Sequence, residues 1–167
     1  MRKAYLIFFF ALVSSISVAQ EYKYHPIFIY NFSKYIEWPA EKSGQDFVIS
    51  VVGNDMAYRQ MLDIVEKKKT IKDRPVVVKK YSKIDEVGNS DMLFVTKYEK
   101  LNADKVIAKQ ASGTLIITEH KNMAETASHI NFVISDSKIG FELNSALAEA
   151  SGLKVSNSLV SLAKKSY

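Results

Sequence analysis

Residues 47–52 read FVISVV, and the turn Gly53-Asn54-Asp55 follows them directly. This run is almost continuously apolar and rich in β-branched residues, which is typical of a strand covered on both faces. A helical pattern begins at the turn, with an apolar side formed by Met56, Met61, Leu62 and Val65. A buried strand that leads straight into an amphipathic helix predicts an α/β fold.

The same alternation of apolar runs and helical patterns continues along the chain. Helices are expected over about 55–67 and 97–113, and further strands at 75–78, 92–95 and 115–118. Thr96 and Glu99 have the spacing of a capping box, which would open the second of these helices.

The C-terminal third predicts a hairpin and two helices. The strand patterns at 130–134 and 139–143 are separated by one short polar turn, so they are expected to pair antiparallel. Asn144 and Ser156 can each cap a short helix after the hairpin. We therefore predict one α/β sandwich domain with a mixed, mostly parallel sheet of about six strands and helices on both faces.

An aromatic stripe marks the start of this domain. Phe28, Phe32 and Tyr35 recur at spacings of four and three, as one face of a helix requires. Pro26 suits the first turn of that helix, and Pro39 is expected to stop it after Trp38. The stripe predicts a core helix, with an exposed aromatic binding face as the alternative.

Residues 1–19 have the form of a secretory signal peptide. Arg2 and Lys3 precede an apolar run of about ten residues, which is too short to span a bilayer. Small residues then lead to an expected cleavage site near Ala19/Gln20, leaving residues 20–167 as the periplasmic domain. Removing this leader lowers the formal net charge from +5 to +3. That small surplus, together with export, does not favour nucleic-acid binding.

The inventory of chemical motifs is thin. The sequence has no cysteine, phosphate-binding glycine loop or nucleophile elbow. Glu119, His120 and His129 could in principle approach a metal, although a solvated loop end explains them as well. The sequence therefore predicts no catalytic residues, no metal site and no cofactor.

Four blocks of the sequence resemble one known family. The segment YNFSKYIEWP at 30–39 is similar to the aromatic signature of the YfiR family. The blocks INFV at 130–133, IGFELN at 139–144 and SNSLVSLA at 156–163 resemble its C-terminal pattern. The resemblance covers essentially the whole chain after the leader.

The resemblance implies a periplasmic regulator rather than an enzyme. A YfiR-like protein is expected to repress an inner-membrane diguanylate cyclase by binding its periplasmic sensor domain, which lowers cyclic di-GMP and biofilm formation. Contact with the membrane would be made only through that partner, which could also be a sensor kinase. Redox gating by disulfides, a property of the family's repressor, does not transfer to a chain without cysteine.

Two sets of residues are candidates for binding. Six apolar residues near the C-terminus can either pack in the core or form an apolar docking patch, which could also support a homodimer. They are Phe141, Leu153, Val155, Leu159, Val160 and Leu162. A small-ligand sensor for a nucleotide or aromatic metabolite is the second hypothesis, with a crevice at the sheet end formed by Gly53, Asn54, Asp55 and Glu119. An unrecognised hydrolase is a third and weaker one.

Overall fold

The computed structural model describes residues 22–39, 45–110 and 113–167. The expected signal peptide lies outside these residues. The strands are β1 (Ile36–Glu37), β2 (Phe47–Val52), β3 (Thr70–Ile71), β4 (Arg74–Tyr81), β5 (Met92–Val95), β6 (Leu115–Thr118), β7 (Ile130–Ser135), β8 (Lys138–Leu143), β9 (Lys154–Val155) and β10 (Lys165–Ser166). The α-helices are α1 (His25–Tyr35), α2 (Asp55–Lys68), α3 (Ala103–Ile107), α4 (Met123–Thr126), α5 (Ser145–Ala150) and α6 (Asn157–Leu162).

Eight strands form one mixed sheet in the order β10-β8-β7-β6-β5-β2-β4-β3. The five central strands, β4, β2, β5, β6 and β7, run parallel. β8 pairs antiparallel with β7 and completes the expected hairpin. The predicted mostly parallel sheet is therefore confirmed. Its count exceeds the expected six because β3 and β10, each only two residues long, pair at the two edges.

The sheet has a hydrophobic core on each face, as predicted for helices on both sides. Alternate residues of β5 divide between them: Met92 and Phe94 pack with α1, α2, α5 and α6, while Leu93 and Val95 pack on the other face. That second face is covered by α3, α4 and a 3-10 turn at Ile84–Glu86. Side chains of successive strand residues point to opposite faces, so a continuous apolar run serves both cores.

The aromatic helix α1 packs on the first face. Pro26 lies in its first turn and Phe32 is buried, while Phe28 and Tyr35 are half-buried against the same core. The rings of Phe28 and Phe32 lie edge-on to Phe141. Most of the stripe is therefore core, as predicted.

Helix α1 ends earlier than the position of Pro39 indicated. Its last residue is Tyr35, because Ile36 and Glu37 pair antiparallel with Val155 and Lys154 in a separate two-stranded sheet. Pairing between distant segments therefore ends the helix before the proline is reached.

The expected capping box at Thr96 is wrong. The hydroxyl of Thr96 donates to the carbonyl of Val52 at 2.9 Å, so it holds β5 to β2 rather than capping a helix. Helix α3 begins later and is shorter than expected, with Asn102 as its cap. The predicted caps Asn144 and Ser156 do accept hydrogen bonds from the first turns of α5 and α6.

Among the described residues, no helix is both long enough and apolar enough to span a membrane.

Candidate functional site

The carboxyl ends of β2, β5 and β6 lie side by side at one end of the sheet. From β2 the chain passes through α2 to β4 on one side, and then crosses back to β5 on the other side. Open α/β sheets bind ligands outside the carboxyl ends of the strands at such a reversal of strand order. The predicted crevice would therefore lie at this end of the sheet.

The chain itself closes the crevice at Gly53. This residue has a φ of 93°, in the left-handed region that residues with a side chain rarely adopt. A Cβ placed on it would lie 2.8 Å from Thr96 Oγ1 and 3.1 Å from the backbone nitrogen of Glu99. The loop after β5 thus packs directly on the turn after β2, which is why only glycine fits there.

Asn54 and Asp55 make contacts within the fold. Asn54 caps α2, since its side-chain oxygen accepts a hydrogen bond from the backbone of Ala57 at 3.0 Å. Asp55 forms an exposed ion pair with Lys80. The hydrogen bond from Lys80 lowers the pKa of the Asp55 carboxyl.

The fourth crevice residue, Glu119, is the centre of a buried polar cluster. His25 Nε2 lies 2.7 Å from Glu119 Oε1, and the exposed fractions of the two side chains are 7% and 10%. The other oxygen accepts hydrogen bonds from the Tyr22 hydroxyl at 2.8 Å and from the backbone N–H of Lys97 at 3.0 Å. Three groups from two segments of the chain, residues 22–25 and Lys97, therefore converge on one carboxylate.

Aromatic rings enclose the imidazole of this cluster. The His25 ring lies 4.7 Å from the ring of Phe132, 5.0 Å from that of Tyr22 and 6.0 Å from that of Phe94. His25 Nδ1 is buried and has no hydrogen-bond partner among the described residues. The cluster joins the start of α1 to the ends of β5 and β6.

Sequence reasoning found Glu119 but missed Tyr22 and His25 as its partners. Tyr22 lies 97 residues away from Glu119 along the chain, and no motif links them. Only the predicted fold could have indicated that these residues meet. In a mostly parallel sheet with α1 packed on one face, the residue after β6 comes close to the start of that helix.

A shallow cavity of about 490 Å³ lies beside this cluster. Its walls are formed by Lys97, Glu99, Lys100, Leu101, Asn102 and His120. The ring of His120 is held by its Nε2, which lies 2.9 Å from the carbonyl oxygen of Glu99. Lys97 and Lys100 bring two positive charges to this cavity, and Glu99 brings one negative charge.

The third histidine serves a structural role. The backbone N–H of Ile116 donates to His129 Nδ1, so Nε2 carries the proton and donates to the Ser151 hydroxyl at 3.0 Å. Burial lowers the pKa of His129 to about 4 and keeps the ring neutral. Among the described residues, no group of three or more histidines and carboxylates is arranged to hold a metal ion.

The structure divides the predicted docking residues by burial. Phe141, Leu153 and Leu159 lie in the first core with at most 4% of their surface exposed. Val155 and Val160 are half-buried against it, whereas Leu162 is 59% exposed at the end of α6. The solvent-facing part of the set is thus on α6.

Comparison with known proteins gives one family. No curated protein matches the chain. A family model described as YfiR/HmsC-like matches residues 22–164, a range that begins at the buried Tyr22 and includes every strand except β10. This family is regulatory and non-catalytic, and membership supports a role in the regulation of diguanylate cyclase. The resemblance of the four sequence blocks is confirmed, and the chain belongs to the YfiR/HmsC-like family.

Proposed function

We propose that this chain is an exported regulatory module that controls a membrane signalling enzyme by protein–protein contact in the periplasm. The enzyme is a diguanylate cyclase or a sensor kinase, and the contact is made with its periplasmic sensor domain. The observation that carries this proposal is the family match over residues 22–164. The leader-like residues 1–19 support export.

The geometry of the sheet end supports contact with a protein over capture of a small ligand in the expected crevice. Both oxygens of Glu119 are already occupied by groups of the chain itself: His25 Nε2 lies 2.7 Å from Oε1, and Oε2 accepts two hydrogen bonds. Gly53 is packed against the loop that begins at Thr96. A ligand would have to displace these internal contacts, each of which contributes to folding.

Helix α6 offers the surface for the partner. Its inner residue Leu159 is buried, so the helix is fixed to the core, while Leu162 projects into solvent beside the half-buried Val160. An exposed large apolar side chain on a firmly packed helix can act as an anchor in an interface. The predicted docking patch is therefore refined to the outer side of α6.

Affinity capture tests this proposal directly. The protein is crosslinked mildly in its native membranes, the membranes are dissolved in detergent, and the proteins captured with it are identified by mass spectrometry. We expect recovery of a membrane cyclase or sensor kinase with the wild-type chain and at least a tenfold loss with Leu162→Asp, since a buried charge costs well over 1.4 kcal/mol.

Two variants serve as controls for this capture. Ile134→Asp makes the same chemical change at a residue that is 75% exposed on the hairpin, and it should retain the partner. Leu159→Asp should fail to fold, because Leu159 lies in the core. Clean capture without any membrane signalling protein would contradict the proposal.

A small-ligand sensor remains the second candidate, favoured by the cavity at Lys97, Lys100 and His120. Its volume of about 490 Å³ is within the range of small-molecule sites. A nucleotide at 100 times its Kd would stabilise the fold by about 2.7 kcal/mol. A screen of nucleotides and aromatic metabolites by thermal unfolding tests this candidate, and no change in melting temperature with any of them would reject it.

A further inference from the structure

Strand β4 leaves most of its outer side without a neighbouring strand. With eight residues it is the longest described strand, yet β3 pairs only with its first two residues, Arg74 and Pro75. The backbone N–H of Val76 then donates to the carbonyl of Lys69 at 3.0 Å, and this contact ends the coverage. The inner side of β4 pairs with β2 from Val76 to Tyr81.

The direction of the free backbone groups follows from two hydrogen bonds. The N–H of Val76 points outward to Lys69, whereas the carbonyl of Tyr81 points inward and accepts from Gly53. Backbone groups alternate in direction along a strand, so Val78 and Lys80 direct their N–H and C=O groups outward. None of the described residues pairs with these outward backbone groups. We refer to Val76–Lys80 as the β4 edge.

The opposite edge of the sheet is protected in a way that the β4 edge is not. It ends in β10, which has only two residues. The side chain of Lys164 also covers the strand β8 at Gly140. Short edge strands and lysines are common devices against unwanted pairing. The β4 edge presents a longer template in which Val76, Val77 and Val78 are half-exposed.

Charge around the β4 edge indicates the kind of segment that can pair with it. Residues 69–83 contain six basic residues and one acidic residue. Two of the six are neutralised by partners, Arg74 by Asp91 and Lys80 by Asp55. The other four form no ion pair among the described residues: Lys69, Lys72, Lys79 and Lys83. Lys83 is nevertheless near enough to Asp85 to help lower the pKa of that carboxyl.

This charge also disfavours pairing of the edge with itself. Two copies joined along β4 would bring two positively charged edges together, and repulsion between like charges opposes such pairing. An extended segment with acidic residues would instead meet complementary charge. Its backbone would supply the missing hydrogen bonds, while its alternate apolar side chains would pack on the valines.

We propose that the β4 edge binds an extended acidic segment of a partner protein by strand addition. The inference rests on the proposed function, to which it adds the mode of recognition and the chemistry of the partner. The contact would be separate from α6, which packs on one face of the sheet near its other edge.

Amide hydrogen exchange measured by NMR tests the proposal with defined probes. The probes are a capped hexapeptide of alternating Glu and Val, and a matched peptide of alternating Lys and Val. We expect the acidic peptide to slow exchange at Val78 and Lys80 by about tenfold, which corresponds to one net backbone hydrogen bond. The Lys peptide should have no effect.

Two variants separate backbone pairing from side-chain contact. Val78→Pro removes an outward N–H that the fold does not use, a position at which an edge strand tolerates proline. It should fold and lose the protection at Lys80. Val78→Ala keeps the N–H and should retain the protection.

Three results would overturn the proposal: no protection by the acidic peptide, equal protection by both peptides, or protection that rises with protein concentration when no peptide is present. The last would indicate pairing between two copies. These results are distinguishable from failure of the proposed function. If the acidic peptide binds but no membrane protein is captured, the β4 edge stands and the regulatory function does not. If capture succeeds but the peptide does not bind, the reverse holds.

Discussion

His25 Nε2 lies 2.7 Å from Glu119 Oε1, which joins the first turn of α1 to the residue that follows β6. Only 7% of the His25 side chain and 10% of the Glu119 side chain are exposed, so little solvent competes for this contact. The Tyr22 hydroxyl and the backbone N–H of Lys97 donate to the second carboxylate oxygen. The Glu119 carboxylate is therefore the common acceptor that holds the N-terminal segment against the sheet.

Replacing Glu119 with Gln should destabilise the fold by about 1–3 kcal/mol. The Gln side chain has one acceptor oxygen, whereas the carboxylate has two. Its NH2 group would take the place of the second oxygen and would face a hydrogen-bond donor. Urea unfolding measures the loss. Glu37→Gln is the matched control, because Glu37 lies 3.7 Å from Lys154 in a pair that is mostly exposed, so little change is expected. Equal urea midpoints for the Glu119 variant and the wild type would contradict this role.

The sequence was sufficient to predict the elements whose pattern is local. The strands at 47–52, 92–95 and 115–118 were predicted with the bounds that the structure has, because continuous apolar runs are required of strands buried on both faces. The hairpin was equally clear, since its two strands are separated by a short polar turn. The caps Asn144 and Ser156 depend only on a side chain and its own following turn.

The elements that the sequence did not predict depend on contacts between distant segments. β1 and β9 are two residues each, and they exist only because α1 and α6 bring Ile36 next to Val155. Thr96 matched a capping box locally, yet its hydroxyl donates to Val52 in a neighbouring strand. The partners of Glu119 were missed for the same reason.

Gly53→Ala should destabilise the protein by about 1–3 kcal/mol, since a positive φ is strained in alanine and the new Cβ would meet Thr96 Oγ1 at 2.8 Å. Gly88→Ala is the control, because nothing lies within 4 Å of its Cβ position. That change should be neutral or slightly stabilising. Thermal unfolding of both variants checks the prediction, which fails if the two melting temperatures agree.

The buried His129 should make stability depend on pH. Its folded-state pKa is about 4, against about 6.5 in the unfolded chain, so between these values the unfolded state binds the proton more strongly. Stability should therefore be fully present above pH 6.5 and fall as the pH drops towards 4. The shift corresponds to a loss of about 3 kcal/mol.

His129→Asn tests the origin of this loss. The side-chain oxygen of Asn can accept the hydrogen bond that Ile116 gives to Nδ1, but it does not titrate. We expect the variant to be less stable at pH 7 and to lose less stability than the wild type between pH 7 and pH 4.5. Urea unfolding at both pH values measures this difference. An unchanged pH dependence would assign the effect to other groups.

Arg74 and Asp91 form a buried ion pair on the same sheet. Two guanidinium nitrogens of Arg74 each lie 2.9 Å from a carboxylate oxygen of Asp91, and a third donates to the carbonyl of Gln45. Asp91 also accepts from the backbone N–H of Val48 at 2.8 Å. The pair therefore anchors β4 and β5 to the start of β2, beside the end where β3 joins the sheet.

Removing only the positive partner should be far more harmful than replacing it with another cation. Arg74→Met leaves the Asp91 carboxylate buried and uncompensated, and should cost about 3–5 kcal/mol. Arg74→Lys keeps the charge but loses the planar fork and the bond to Gln45, so it should cost less. Urea unfolding of the two variants gives the order. If Arg74→Lys proved as unstable as Arg74→Met, the fork geometry rather than the charge would hold these strands together.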